Sequence, residues 1–268
     1  MMMLEFIQWN VDPEIFRLGS FAVRWYGLFF ALSFYFGYMI MGNIFKKENV
    51  PATILDNLSL YMILGTVIGA RLGHCLFYQP EIYLAHPLEI LKIWEGGLAS
   101  HGAAVGILFA LYVFAKRYRF TYLWILDRIV IVVALAGFMI RMGNLMNSEI
   151  YGKASTLPWA FVFLRDDFSM IPRHPTQIYE GIAYIGLFLF LFMTYRKKGL
   201  QLPEGLLFGW FMVILFGLRF LLEFLKENQV DFENKMALNL GQGLSIPFVL
   251  IGIYILYRVY KKPFKPWP

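Results

Sequence analysis

The chain has 268 residues, of which 59% are hydrophobic, 19% aromatic and 16% charged, with a mean hydropathy of +0.58. Soluble domains carry about 25% charged residues, so this composition excludes an ordinary soluble protein and predicts a single polytopic membrane domain over residues 1–268. The net charge of +6 falls in short loops between apolar runs, where it indicates membrane topology and not a nucleic-acid surface.

The apolar runs predict an all-α integral membrane protein with about seven transmembrane helices, because the runs approach the length that crosses a bilayer. In chain order, the predicted spans cover residues 21–41, 54–72, 97–115, 123–142, 178–195, 204–225 and 244–257. We expect residues 1–19 to form an interfacial or re-entrant lead-in. They lack the basic region and cleavage site of a removable signal peptide.

Clusters of lysine and arginine follow the first, third, fifth and seventh predicted spans. By the positive-inside rule those loops are cytoplasmic, so we expect an external N-terminus and a cytoplasmic C-terminus. With this topology every span carries polar groups at its outer end, and Asp56, Asp127 and Arg128 are the inner exceptions. The outer groups include Tyr26, Arg71, His74, His101, Arg141, Gln177, Arg219 and Gln242. Because ionisable groups inside a membrane are costly and mostly functional, the pattern predicts one polar cavity near the outer leaflet.

The polar stretch at residues 141–152 follows the fourth apolar run directly. Arg141, Asn144 and Asn147 share one face if the helix continues, because neighbours three apart lie on the same side. A guanidinium can bind a phosphate through two parallel hydrogen bonds, and the amides and Glu149 can bind hydroxyls. The stretch therefore predicts a site for a phosphate-bearing group, and the alternative is a solvated cap on a membrane helix.

A second charged stripe lies in the sixth span, where Arg219, Glu223 and Glu227 recur every four residues. This spacing predicts that Glu223 orients Arg219. Two arginines that met without an anion would repel each other in a low dielectric, so Arg141 and Arg219 together predict an anionic ligand. The alternative is that each arginine pairs with a local acid.

Two further segments carry histidine. His101 follows a glycine-rich segment and is a suitable proton acceptor near neutral pH, although a packed histidine bonded to a carbonyl is the alternative. In the segment 174–180, Pro175 predicts a helix start, with Gln177 and Glu180 on one face. No cofactor or metal is expected, because the four histidines lack the spacing of a zinc motif.

Together these segments resemble the phosphatidylglycerol–prolipoprotein diacylglyceryl transferases of bacterial inner membranes, and the resemblance covers nearly the whole chain. The segments that carry it are residues 24–27, 69–71, 96–102, 141–152, 174–180, 219–224 and 241–247. The stretch 141–152 resembles the family signature Gly-Arg-x-Gly-Asn-x-x-Asn-x-Glu-x-x-Gly. Here Ile140 replaces the first glycine, Ser148 stands where a glycine is frequent, and Lys226 stands where an arginine is common.

The resemblance implies that the diacylglyceryl unit of phosphatidylglycerol moves to the thiol of the lipobox cysteine in a prolipoprotein signal peptide. A thioether forms and glycerol 1-phosphate leaves. The implied partners are phosphatidylglycerol, the prolipoprotein and membrane lipids, with no nucleic acid. The implied catalytic residues are His101 as base, Arg141 and Arg219 as phosphate ligands, and Tyr26. The implied substrate-binding residues are Asn144, Asn147, Glu149, Gly152, Gln177, Glu223, Arg71 and Gln242.

Three other function classes make different predictions. A transporter or channel would spread its polar groups along a path through the membrane, whereas here they gather at one end. Another intramembrane lipid enzyme, such as a phosphatase or acyltransferase, would need a nucleophilic serine or histidine constellation that we do not find. A non-catalytic lipid-binding scaffold stays open, and transfer by purified protein would exclude it.

Overall fold

The computed structural model describes residues 6–19, 21–93, 96–166, 169–226 and 238–261. These residues are mostly helical. The helices are α1 (Trp25–Lys47), α2 (Ala52–Phe77), α3 (Pro80–Ala85), α4 (Ser100–Tyr118), α5 (Tyr122–Met146), α6 (Thr176–Lys198), α7 (Leu206–Leu222) and α8 (Leu240–Lys261). Short 3₁₀ segments cover Pro87–Leu91, Gly199–Gln201 and Glu223–Leu225, and the strands are β1 (Ile7–Trp9), β2 (Glu14–Leu18), β3 (Phe21–Arg24) and β4 (Phe161–Phe163).

Six helices of the described residues are long and apolar enough to cross a membrane, namely α1, α2, α5, α6, α7 and α8. Helix α4 occupies the third predicted span but is not among the six. It carries Ser100 and His101 in its first turn and Lys116 and Arg117 in its last. The structure thus confirms a helical protein with multiple candidate spans, and the seventh span and the orientation stay predictions.

The first described residues form strands and not a re-entrant segment, and the first long helix begins at Trp25 and not at residue 21 as predicted. Strand β1 pairs in parallel with β4, and β2 pairs antiparallel with β3. The indole of Trp9 donates a hydrogen bond to the carbonyl of Leu145 at 2.9 Å. These bonds satisfy main-chain groups that a re-entrant segment would have had to satisfy in hydrocarbon.

The chain divides into two compact units, residues 41–126 and residues 1–40 with 127–268. In the unit of residues 41–126, α2 and α4 meet through glycines. A Cβ atom added to Gly69 would lie 2.4 Å from the carbonyl oxygen of Gly102, and one added to Gly106 would lie 2.2 Å from that of Gly65. Small residues of this kind allow the backbones of membrane helices to touch.

In the unit that contains residues 127–268, the fully buried Asp127 of α5 caps the start of α7. Its carboxylate accepts hydrogen bonds from the backbone N–H of Gly205 at 2.6 Å and of Phe208 at 2.8 Å. A carboxylate at this end of a helix satisfies unpaired N–H groups and stabilises the helix dipole. Asp127 therefore determines where α7 begins, and α7 carries Arg219.

We expect Asp127→Ala to lower the free energy of unfolding by about 2–4 kcal/mol, because two buried N–H groups would lose their acceptor. Reversible SDS titration in mixed micelles would measure the change. Asp127→Asn keeps one acceptor and should lose about half as much. Equal stability of Asp127→Ala and the wild type would contradict the capping role.

Candidate functional site

The polar stretch of residues 141–152 begins inside α5, which extends to Met146. Arg141 and Asn144 are therefore helical, as predicted. Arg141 Nη1 donates to Asn144 Oδ1 at 3.2 Å. The chain then turns back, with the N–H of Glu149 bonded to the carbonyl of Asn144. The helix end therefore holds Arg141 and Asn144 side by side and directs Glu149 towards them.

Glu149 joins three other predicted site residues into one network. Its Oε1 atom accepts hydrogen bonds from Asn144 Nδ2 at 2.7 Å and from Asn147 Nδ2 at 3.2 Å. Its main-chain carbonyl accepts one from Gln177 Nε2 of α6 at 2.7 Å. Asn144 and Gln177 are buried. Buried amides with several partners form a rigid constellation, which is the arrangement needed to hold a headgroup.

The turn after α5 uses left-handed backbone at two positions that are not glycine, with φ of 56° at Ser148 and 59° at Ile150. Ser148 is the position where the resembling family frequently has glycine. Its side chain is 1% exposed, and its hydroxyl has no hydrogen-bond partner among the described residues. The backbone therefore keeps the conformation that glycine favours although the side chain differs.

We expect Ser148→Gly to raise the free energy of unfolding by about 0.5–1 kcal/mol, because glycine removes the left-handed strain at some cost in chain entropy. Ser148→Ala removes the buried hydroxyl but retains the Cβ atom, so it isolates the contribution of the backbone. SDS titration of the wild type, Ser148→Gly and Ser148→Ala measures the separate effects of the buried hydroxyl and of the left-handed backbone on the free energy of unfolding. Equal midpoints for Ser148→Gly and Ser148→Ala would show that φ is not the cause.

A buried ion cluster surrounds Glu180 of α6, to which sequence reasoning gave no role. Glu180 Oε2 lies 2.8 Å from Arg141 Nε, an ion contact without an aligned hydrogen bond, and Oε1 accepts a hydrogen bond from Lys226 Nζ at 2.7 Å. Lys226 Nζ is also 3.7 Å from Glu223 Oε2. The available signal for Glu180 was an acid within an apolar helix, three residues after Gln177.

Tyr184, one turn after Glu180, was also missed. Its ring centroid lies 6.0 Å from the guanidinium carbon of Arg141, and its phenol interacts electrostatically with both Arg141 and Arg219. A Cβ atom added to Gly137 of α5 would lie 2.7 Å from the Tyr184 ring. Both predicted arginines therefore interact electrostatically with one buried phenol.

Arg219 lies in the last turn of α7, and its guanidinium makes no ion pair or hydrogen bond within the described ranges. The four-residue spacing holds as far as Glu223, whose backbone N–H bonds to the carbonyl of Arg219, but the two side chains make no ion pair. Glu223 lies near Lys226 and not against Arg219, which corrects its predicted orienting role. Glu227, the third member of that stripe, lies outside the described residues.

Tyr26 and Gly152 both lie beside the network. A Cβ atom on Gly143 would lie 2.8 Å from the ring of Tyr26, whose phenol interacts electrostatically with Glu149 and Arg141. A Cβ atom on Gly152 would lie 2.5 Å from the carbonyl oxygen of Leu225. Gly152 therefore permits a close approach of the main chain at Leu225, and its predicted substrate contact stays a prediction.

Gln242 has a local structural partner. Its backbone N–H donates to Asn239 Oδ1 at 2.9 Å, and the backbone N–H of Asn239 donates to Gln242 Oε1 at 3.2 Å. This reciprocal pattern is a capping box at the start of α8. The side-chain oxygen is used by the helix end, and the predicted substrate contact of Gln242 stays a prediction.

Arg71 and His101 belong to the unit of residues 41–126. Arg71 is 3% exposed, and its guanidinium donates to the carbonyls of Ile90, Gly96 and Glu89 at 2.6–2.9 Å. Arg71 therefore organises its own loop, and its predicted substrate contact stays a prediction.

His101 lies exposed in the first turn of α4, and its ring has no hydrogen-bond partner in the described part of the chain. This position differs from the packed histidine that was the alternative. Trp94 and Glu95 of the preceding segment lie outside the described residues. Among the described side chains, no group of three histidine, cysteine or acidic residues is arranged to hold a metal ion.

Comparison with known proteins gives concordant matches. The family model described as prolipoprotein diacylglyceryl transferase matches residues 13–258. The phosphatidylglycerol–prolipoprotein diacylglyceryl transferase of Chloroherpeton thalassium is 47% identical, over 96% of this chain and 96% of its own length. The enzymes of the same name from Tolumonas auensis and Bacteroides fragilis are 47% and 43% identical, over 92% and 96% of this chain and 95% and 96% of their own lengths.

Proposed function

The chain belongs to the prolipoprotein diacylglyceryl transferase family, and from that membership we propose how its residues carry out the transfer. The protein moves the diacylglyceryl unit of phosphatidylglycerol to a prolipoprotein, the first step of lipoprotein maturation. The acceptor is the thiol of the lipobox cysteine in the signal peptide. Its sulfur attacks the glycerol carbon that bears the phosphate ester. The carbon–oxygen bond breaks, and glycerol 1-phosphate leaves with the electron pair.

The observation that carries this proposal is the pair of arginines that interact electrostatically with Tyr184. Arg141 is held by Asn144 and Glu180, whereas Arg219 has no direct acidic partner among the described residues. The leaving phosphate gains negative charge as the bond breaks, and preorganised cations stabilise such charge strongly in a site that excludes water. Tyr26, Asn144, Asn147, Glu149 and Gln177 form the surrounding polar wall that binds the headgroup glycerol. Gly152, Gln242 and Arg71 complete the proposed set of substrate-binding residues.

We propose that His101 is the base that accepts the proton of the thiol. A cysteine thiol has a pKa of about 8.5 and is mostly neutral at pH 7, so a base raises the fraction of the reactive thiolate. We expect His101→Gln to lower kcat about 10²-fold at pH 7, and by much less near pH 9, where the thiol ionises without help. Rate–pH profiles from pH 6 to pH 9.5 with saturating lipid and peptide test this. Full turnover of His101→Gln at pH 7 would rule out His101 as the base.

For the membrane arrangement we propose seven spans, with α4 as the additional one, an external N-terminus and a cytoplasmic C-terminus. The support is the basic last turns of α1, α4, α6 and α8, with Lys46, Lys116, Arg196 and Arg258 among their residues. The protein is then a multi-pass protein of the bacterial inner membrane. Its polar site opens near the outer leaflet, where the signal peptide and the lipid tails arrive, and the whole chain serves one activity.

The deciding experiment is transfer by the purified protein. Radiolabelled phosphatidylglycerol in detergent micelles is incubated with a lipobox peptide or with the same peptide carrying serine in place of cysteine. Label on the cysteine peptide alone supports the proposal. A folded protein that binds lipid but labels neither peptide would be a lipid-binding scaffold, and the proposed function would be wrong.

A further inference from the structure

The carboxylate of Glu180 lies between two buried cations of different elements. Arg141 of α5 contacts one oxygen at 2.8 Å, and Lys226, which follows the last 3₁₀ segment, contacts the other at 2.7 Å. The side chains are 2% exposed for Glu180, 5% for Lys226 and 14% for Arg141. An ionised carboxylate this deeply buried requires such partners, because an unpaired charge there would be strongly destabilising.

The main chain fixes Lys226 in this place. Lys226 forms an antiparallel bridge with Gly152, and the N–H of Lys153 donates to the carbonyl of Leu225 at 2.8 Å. The end of α7 is thereby tied to the stretch that contains Asn147 and Glu149. The Lys226 ammonium is therefore a built part of the cluster and not a chance neighbour.

Glu180 also determines how the Arg141 guanidinium is oriented. Glu180 contacts Nε, and Asn144 accepts a hydrogen bond from Nη1, so two different edges of the planar group are held. A guanidinium held at two edges presents its remaining donors in one direction, which bidentate binding of a phosphate requires.

A carboxylate that paired with Arg141 alone would also cancel its charge and weaken its attraction for a phosphate. Lys226 offsets that effect, because its ammonium lies 2.7 Å from the Glu180 carboxylate and the two together carry no net charge, whereas Glu223 is farther from the ammonium, at 3.7 Å. The Glu180–Lys226 pair therefore orients Arg141 without neutralising it.

We propose that Glu180 is a positioning residue for Arg141, and that Lys226 preserves the positive charge of Arg141 by balancing Glu180. The inference rests on the proposed function and explains how Arg141 is both fixed in place and attractive to a lipid phosphate. Neither Glu180 nor Lys226 has to touch the substrate. Lys226→Arg is the conservative variant, because it keeps the charge.

The test measures kcat and KM for phosphatidylglycerol in four variants. Glu180→Gln should lower kcat about 10²-fold, the usual effect of a misplaced catalytic group. Lys226→Met should raise KM about tenfold, because Glu180 would then neutralise Arg141. Lys226→Arg should stay within about threefold of the wild type, because the charge is kept.

The double variant Glu180→Gln/Lys226→Met decides between positioning and simple charge balance. It restores the charge balance of the cluster, in which Arg141 and Glu223 remain, so it should be more stable than either single variant while its kcat stays about 10²-fold low. Recovery of kcat in the double variant would show that Glu180 serves only to neutralise Lys226, and the proposal would be wrong.

A control variant, a fallback measurement and a reference complete the design. Glu81→Gln makes the same exchange at an exposed position of α3 and should leave both constants unchanged. If Glu180→Gln alone does not fold, Lys226→Met decides: an unchanged KM overturns the proposal and a raised KM supports it. The wild type with the cysteine peptide is the reference, so a protein that fails to transfer at all refutes the proposed function and not the positioning role.

Discussion

Arg219→Ala is expected to lower transfer about 10²- to 10³-fold, the usual loss when one donor to a developing negative charge is removed. The same change should leave the unfolding midpoint unaltered, because the Arg219 guanidinium makes no ion pair or hydrogen bond among the described residues. Arg219→Lys should recover part of the loss, since a lysine supplies charge without the bidentate geometry of arginine. Steady-state transfer to the cysteine peptide measures the rates.

The matched control is Arg196→Ala, which removes an arginine from the last turn of α6 and should not change transfer. Arg141→Ala provides a contrast, because it also removes a cation from the buried contact with Glu180 and should lower both activity and stability. If Arg219→Ala transferred within about threefold of the wild type, Arg219 would not bind the leaving phosphate.

Gly102→Val is expected to disrupt the packing of α2 against α4 and to lower the free energy of unfolding by about 3 kcal/mol or more. A Cβ atom there would lie 2.3 Å from the carbonyl oxygen of Gly69 and 2.7 Å from the Cα atom of Gly73. Both are main-chain atoms, which cannot rotate away as a side chain can. The two helices would have to separate, and His101, the neighbour of Gly102, would move with them.

The measurement is an SDS titration followed by tryptophan fluorescence, with limited proteolysis of the loop between α2 and α4 as a second readout. Gly186→Val is the matched control, because no atom lies within 4 Å of a Cβ added at that position of α6. Equal stability of Gly102→Val and Gly186→Val would mean that the helices do not depend on this contact.

Local features of this protein could be predicted from the sequence because their causes are local. The bilayer fixes the length of a span, and residues three apart on a helix must share a face, which is why Arg141, Asn144 and Asn147 were expected to lie together. Gln177 joined them because it opens the next span from the same predicted side. The structure agrees on all four positions.

Features that depend on distant partners could not be predicted in this way. Arg71 donates to carbonyls about 20 residues away, and its residue type is the same whether it binds a backbone or a phosphate. Glu223 keeps the four-residue spacing from Arg219, but its carboxylate lies 3.7 Å from Lys226 Nζ, and that spacing alone could not show which cation it would face. Glu180 was underestimated because its second partner, Lys226, is remote in sequence.

The pairing of β1 with β4 determines the order in which the protein can be completed during synthesis. Ile7 pairs with Phe161, so β1 is made about 150 residues before its partner, or about 8–30 s earlier at ordinary translation rates. Through that interval the first strand has an unpaired main-chain edge, while α1, α2 and α5 are still being delivered to the bilayer. The network around Glu149 closes later still, since Gln177 comes after Phe161. A nascent chain therefore closes this network only once α6 has begun, while α7 and α8 are still to be made.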